Sequence, residues 1–214
     1  MNSKTLGLAA TAAIALATSV AARAEDGRWI ARVRAIYIDP ANQNDAVPNL
    51  VPKDAIEVNA KWAPDLDFEY LVHDNFGLEL LLTVPQKHTV SLPGVGTLGT
   101  LKHLPPTLTA KYYFLTDRCR PYVGAGLNYT RFSSADFAPL EAALGGAAVD
   151  VSSGSFGPAL QAGADVALGH RWHLSLDVKK VWISTDLKVN GTKVMTEHID
   201  PFIYGVGVGY RFGG

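Results

Sequence analysis

The last thirteen residues, Phe202-Ile-Tyr-Gly-Val-Gly-Val-Gly-Tyr-Arg-Phe-Gly-Gly214, carry large apolar side chains at 202, 204, 206, 208, 210 and 212 and glycine at 205, 207 and 209. Strict alternation marks a β-strand, because successive side chains of a strand point to opposite faces. One face of this strand is wholly apolar and the other is almost bare. Such a strand fits a water-soluble barrel with an apolar inside or a membrane barrel with an apolar outside, and the rest of the chain has to decide between them.

The same period runs back to Trp29. Alternating runs cover Trp29 to Asp39, Ile56 to Val72, Phe76 to Val84, Leu108 to Phe114, Val123 to Tyr129, Phe156 to Leu168 and Trp172 to Trp182. The second run is interrupted at Ala63-Pro64-Asp65, but its apolar parity is the same on both sides, which a turn need not preserve. It therefore reads as one strand with a local irregularity at Pro64, and the count is eight. Connections alternate too. Long segments, Pro40 to Asp54, Gln86 to Pro105, Ser133 to Gly154 and Ser184 to Asp200, take turns with short ones at His73 to Asn75, Thr116 to Arg120 and Gly169 to His170. Pro139 to Leu144 suits a short helix within the third long segment.

The second faces of the strands carry Arg32, Arg34, Asp67, Glu69, Glu79, Lys111, Asp165, Asp177, Lys179 and Arg211, five positive and five negative. In a soluble sandwich these would be solvated outer faces. Three features favour the membrane reading. Residues 1–24 have the form of an export signal: Lys4, an Ala/Leu-rich stretch and Ala22-Arg23-Ala24 before Glu25. The long and short connections alternate throughout, as in outer-membrane barrels. Aromatic residues gather at the run ends, with Trp29, Tyr37, Tyr112, Phe114, Trp172, Trp182, Tyr210 and Phe212 placed as interfacial girdles. The expected fold is thus all-β: residues 25–214 form an eight-stranded antiparallel up-and-down transmembrane β-barrel with long extracellular loops and short periplasmic turns. The last strand must pair with the first, because an open sheet edge in lipid would leave each unpaired backbone group costing several kcal/mol.

An eight-stranded barrel has room inside for packed side chains or one small ligand, not for a wide aqueous pore. By height, the inward charges Arg32, Arg34, Glu69, Glu79, Lys111, Asp165, Asp177, Lys179 and Arg211 lie toward the short turns and are expected to pair into a plug of the lumen. Nearer the long connections the inward residues are Ile36, Ile38, Leu81, Pro85, Val181, Ile183 and Ile203, an apolar vestibule suited to a small hydrophobic molecule. Above a charged plug, the exit for such a molecule is sideways into outer-membrane lipid. Simple space filling by the same Ile and Leu side chains stays open as an alternative.

Other chemistry finds little support. The balance of 19 basic against 20 acidic residues implies no nucleic-acid partner, and one cysteine, Cys119, makes no internal disulfide. Gly94-Val-Gly-Thr-Leu-Gly99 spells a dinucleotide fingerprint, but in a connection between antiparallel strands with no following helix it reads as a turn. His170 and His173 fall on opposite faces if on a strand and read as a wet turn; His88, His103 and His198 sit in or near loops. No metal and no cofactor is expected. A lipid-modifying enzyme using Ser91, His88 and His103, and a structural or adhesive barrel without transport, are the competing classes.

Four segments carry a family resemblance: HLPPTLTAKYYF (103–114), RPYVGAGLNYTRF (120–132), IDPFIYGVGVGYRF (199–212) and DNFGLELLLTVPQKH (74–88). In this order they resemble the OmpW family of outer-membrane proteins, which includes the alkane-uptake barrels. The resemblance implies an eight-stranded barrel in a Gram-negative outer membrane, with a hydrophobic channel that passes small apolar molecules and releases them laterally. It also implies a C-terminal strand read by the barrel-assembly machinery. Here Gly213 and Gly214 follow the aromatic residue on which the family usually ends.

Overall fold

The computed structural model describes residues 27–47, 51–114 and 118–213. The expected export signal, 1–24, and Gly214 lie outside them. The first strand, β1 (Trp29–Asp39), rises from the turn end. The connection above it forms β2 (Gln43–Asn44) and β3 (Glu57–Val58), and β4 (Lys61–His73) descends. β5 (Phe76–Thr83) rises into a hairpin of β6 (Gln86–Leu92) and β7 (Gly96–Leu104), and β8 (Thr107–Tyr113) descends. β9 (Cys119–Asp136) climbs beyond the barrel to a short helix, α1 (Ala138–Ala143), and β10 (Val149–Val151). β11 (Gly154–Gly169) descends and β12 (Trp172–Val181) rises to the hairpin of β13 (Ser184–Val189) and β14 (Thr192–His198). β15 (Phe202–Phe212) descends last.

Eight of these strands close a barrel in the order β11-β12-β15-β1-β4-β5-β8-β9, with β9 returning to pair with β11. All neighbours are antiparallel, and the closing seam runs from Trp29 opposite Phe212 to Asp39 opposite Phe202 without a shift. The expected architecture is therefore present, and it is inside out relative to a soluble protein. Val33 is 59% exposed and Leu127 54%, whereas Arg32, Asp67 and Lys111 are fully buried. An apolar band of this extent facing outward is stable only against lipid.

Aromatic rings close the band at both ends. Trp29 packs on Tyr70, Trp172 on Tyr210 and Tyr112 on Phe114 near the short turns; Tyr37 packs on Trp62 and Phe202 on Tyr204 near the other rim. Trp29 and Tyr37 are eight residues apart on β1, about 27 Å along the strand, which a tilt near 40° reduces to about 20 Å of height. That approaches the apolar band of an outer-membrane barrel, about 25 Å tall. Phe212 lies opposite Trp29 on the same face of the seam and is 6% exposed.

Two expectations about the connections need correction. Ile56 to Val72 is not one strand broken at Pro64. Pro64 sits in an unbroken ladder opposite Ala35, and the break falls at Asn59 and Ala60. The cause is Asn59, whose side chain accepts a hydrogen bond from the Thr89 amide at 2.6 Å while its amide donates to the Thr89 carbonyl at 3.2 Å. This ties Glu57–Val58 to β6 instead of β1. The long connections are also not plain loops. β3, β6, β7 and the upper half of β9 extend the barrel wall upward, and β10, β13, β14 and β2 form a second sheet. The two sheets pack through Ile56, Val58, Val90, Leu98, Phe137, Val149 and Met195, making a structured crown above the barrel.

Candidate functional site

Odd-numbered residues of β1 and β15 alternate out of phase across the seam, so Arg32 and Arg34 of β1 lie over Gly209 and Gly207 of β15. A Cβ on Gly207 would strike the Val33 carbonyl and lie 2.6 Å from the Arg34 Cα; one on Gly209 would meet the His173 ring and lie 2.9 Å from the Arg32 Cγ. The bare face of the last strand is thus the space into which two arginines fold. They reach a dense ion-pair network. Arg32 meets Glu69 at 2.7 Å, Asp165 at 2.7 Å and Asp67 at 2.9 Å; Arg34 meets Asp67 at 2.9 Å and Asp65 at 3.0 Å. Lys111 bridges Glu69 and Glu79, each at 3.0 Å, and Lys179 reaches Glu79 at 2.9 Å. Gln161 donates to Asp177 at 2.8 Å, as does the Tyr122 hydroxyl, and the Tyr113 hydroxyl donates to Glu69 at 2.8 Å.

This layer spans the bore. Six carboxylates, at 65, 67, 69, 79, 165 and 177, face four cations, at 32, 34, 111 and 179. Arg211 does not join. It lies opposite Ile30, one layer nearer the short turns, half-buried with its Nε on the Gly27 carbonyl. Asp65, Gln161, Tyr113, Tyr122 and His173 complete the layer, and none of them is among the charges that the sequence assigns to the plug. Strand parity was the available signal for Asp65, masked by treating Pro64 as an irregularity. His173, expected in a wet turn, is buried with Nε2 3.8 Å from Asp165, while His170 takes the turn itself at φ 42°.

Above the network Ile36, Ile38, Val181, Ile183 and Ile203 pack with Ala63, Leu101, Phe132, Ala159 and Ile199. Leu81 joins the same lining, closing the bore to a crevice of about 10 Å³. Pro85 stands outside it and is exposed, because β5 ends at Thr83 and the chain changes direction into β6, so strand parity no longer applies. The vestibule residues form a tight apolar collar.

Between the crown sheets lies a second, somewhat wider opening, a cleft of about 40 Å³ by the same measure. Ile56, Val58, Val90, Leu98, Leu101, Phe137, Met195 and Ile199 line it, with His88, His103, Thr185 and Glu197. The rings of His88 and His103 stack with centroids 4.8 Å apart. Burial holds His103 down to about 3, with the His88 charge adding to it, and lowers His88 as well. Burial, helped by the like charge of Asp54, pushes Glu197 up to about 8. His198 is exposed on the other sheet, and Ser91 bonds the Glu57 carbonyl at 3.5 Å. Among the described residues no three His, Cys, Asp or Glu side chains meet as a metal site. Gly94 and Gly96, at φ 82° and 113°, turn the β6–β7 hairpin.

Comparison with known proteins places these features in company. The model of the OmpW family matches residues 25–212. Outer membrane protein W of Escherichia coli K12 is 31% identical over 214 residues, covering 98% of this chain and 100% of the relative. The dibenzothiophene metabolism operon protein PahQ of Pseudomonas aeruginosa is 28% identical, covering 76% of this chain and 77% of the relative. Among solved structures, the outer membrane protein OprG of Pseudomonas aeruginosa superposes with a TM-score of 0.76 at 28% identity, covering 89% of this chain and 98% of OprG.

Proposed function

From the premise that the chain belongs to the OmpW family and is an outer-membrane β-barrel, we propose that it admits small hydrophobic molecules passively through the crown and collar and releases them sideways into outer-membrane lipid. One observation carries this reading: an apolar collar sits directly on a buried ion-pair layer that fills the bore. A hydrocarbon that reaches the collar meets matching walls above and a charged floor below. Crossing that floor would expose it to ten ionisable side chains, so the favourable path leads outward through the wall.

The wall is thinly bonded beside the collar. β5 pairs with β8 only as far as Leu81 opposite Thr107, although β5 runs on to Thr83. Pro85, Pro105 and Pro106 flank this gap and lack the amide hydrogens that would close it. We place lateral release there. On the same reading the molecule passes unchanged, residues 1–24 direct export, and the barrel-assembly machinery reads β15. The name of PahQ associates that relative with dibenzothiophene metabolism, and a sulfur-bridged aromatic hydrocarbon is an apolar cargo of the class proposed for this chain.

Cells with and without the protein should take up an apolar probe such as naphthalene at different initial rates, while a sugar of similar size enters at equal rates. Equal naphthalene uptake in both strains would sink the channel reading in favour of a structural barrel. A mass change in lipid A present only with the protein would favour an enzyme.

A further inference from the structure

Glu197 stands in the apolar lining of the crown cleft, 7% exposed, and neither of its carboxylate oxygens has a hydrogen-bond partner among the described residues. On β14 the buried positions are Met195 and Glu197, while His198 faces out, so a carboxylate occupies a register position that packing alone would fill with hydrocarbon. Its neighbours are committed elsewhere. Thr185, directly across, donates to the Ser152 carbonyl at 3.4 Å. Asn44, on the other side, donates to the Asp45 and Pro52 carbonyls and accepts from the Ala55 and Ile56 amides. A second buried polar atom without a hydrogen-bond partner among the described residues is Nε2 of His88, which lines the same cleft with its Nδ1 held by the Asn59 carbonyl at 2.8 Å. An unsatisfied buried polar group is costly, and a native fold that keeps two of them in one apolar cleft has a use for them.

We propose that this cleft binds a small hydrocarbon carrying one neutral hydroxyl, an alcohol or a phenol, with the hydroxyl on Glu197 and the hydrocarbon along Val90, Leu98 and Met195. The inference rests on the channel reading and adds the chemical class that the crown selects. The head is neutral because an ammonium would require Glu197 to ionise among apolar side chains, and the desolvation of a buried ion pair offsets its attraction. A protonated carboxyl both donates to and accepts from a hydroxyl, leaving neither partner unsatisfied.

The test uses the protein in lipid nanodiscs, with ligand-observed NMR against empty discs. The probes are 4-ethylphenol, ethylbenzene and 4-ethylbenzylamine. The wild type should bind 4-ethylphenol about tenfold more tightly than ethylbenzene, the ratio expected of one added hydrogen bond. Glu197→Gln, which keeps a donor and an acceptor, should retain most of that ratio, and Glu197→Leu should lose it while still binding ethylbenzene. Should Glu197→Leu fail to fold, the methyl resonance of Met195 in the wild type provides the second readout and should move with 4-ethylphenol. Equal binding of the phenol and the hydrocarbon by the wild type would overturn the hydroxyl assignment and leave the channel reading standing. A preference that survives in Glu197→Leu, or tighter binding of the amine, would overturn it too. If no probe bound above empty discs, both the assignment and the channel reading would fall.

Discussion

At the scale of single residues, the glycines of β15 and the arginines of β1 are one device. Gly207 has no room for a methyl group, because the obstacle is the Val33 backbone, which cannot swing aside as a side chain can. Gly205 is different: a Cβ there would lie 3.4 Å from the Ile36 Cγ2, an ordinary contact. Gly207→Ala should therefore lower the unfolding free energy by about 1–3 kcal/mol, in the range of overpacked cores, whereas Gly205→Ala should stay within about 0.5 kcal/mol of the wild type. Urea unfolding from lipid vesicles, followed by tryptophan fluorescence, would compare them. Equal effects at the two sites would refute the argument. Arg32 is the hub of the plug, and Arg32→Leu leaves Glu69 and Asp165 without their shortest partner and Asp67 with Arg34 alone. The expected cost is about 3–5 kcal/mol, the usual penalty for removing one member of a buried ion pair, read by the same assay.

At the scale of elements, the crown is a separate packing unit whose stability has its own pH dependence. Glu197 titrates near 8 in the fold and in the usual carboxylate range when the crown opens. The folded crown thus holds a proton that the open one releases, and stability falls as pH rises toward 8. His103 acts in the opposite sense. It is neutral in the fold down to about 3 but takes a proton near 6.5 when exposed, so stability falls as pH drops through that interval, and His88 adds to this limb. Between about 4.5 and 6.5 the two slopes oppose each other. Hydrogen exchange in β6, β7, β13 and β14, corrected for intrinsic rates, should show greatest protection in that window and weaken on both sides. Exchange in β1 and β15 should not follow the same profile. A crown with constant protection from pH 4 to 9 would contradict these assignments.

At the scale of the whole molecule, the proposed channel reading makes the ion-pair layer under the apolar collar the barrier to ions. Purified protein in a planar bilayer should pass almost no ionic current, because the layer around Arg32 leaves no continuous water path. A steady conductance typical of a water-filled porin would show that the network opens in the membrane. Barrel closure depends on the seam between β1 and β15, whose residues are far apart in sequence and meet through their whole length. Gly213 adopts φ 96°, with its carbonyl where a Cβ on Gly27 would stand, so these two glycines pack against each other where β1 begins and β15 ends.

Alternation by itself determined the eight strands, their antiparallel order and the inside-out distribution of charge, because in a membrane barrel each residue faces either lipid or lumen and the period of two is enforced along every strand. It also placed Arg32, Arg34, Glu69, Glu79, Lys111 and Lys179 in the bore and Ile36, Ile38, Val181, Ile183 and Ile203 above them. Parity carries no height, however, and it ends where a strand ends. Which charges share one layer depends on the stagger between neighbouring strands, and that stagger put Asp65 into the layer and Arg211 below it. Pro85 left the lining because β5 stops two residues earlier. The crown, its cleft and the unpartnered Glu197 were decided only in three dimensions. They arise where connections from four different parts of the chain fold onto one another, and local sequence does not record which of them will meet.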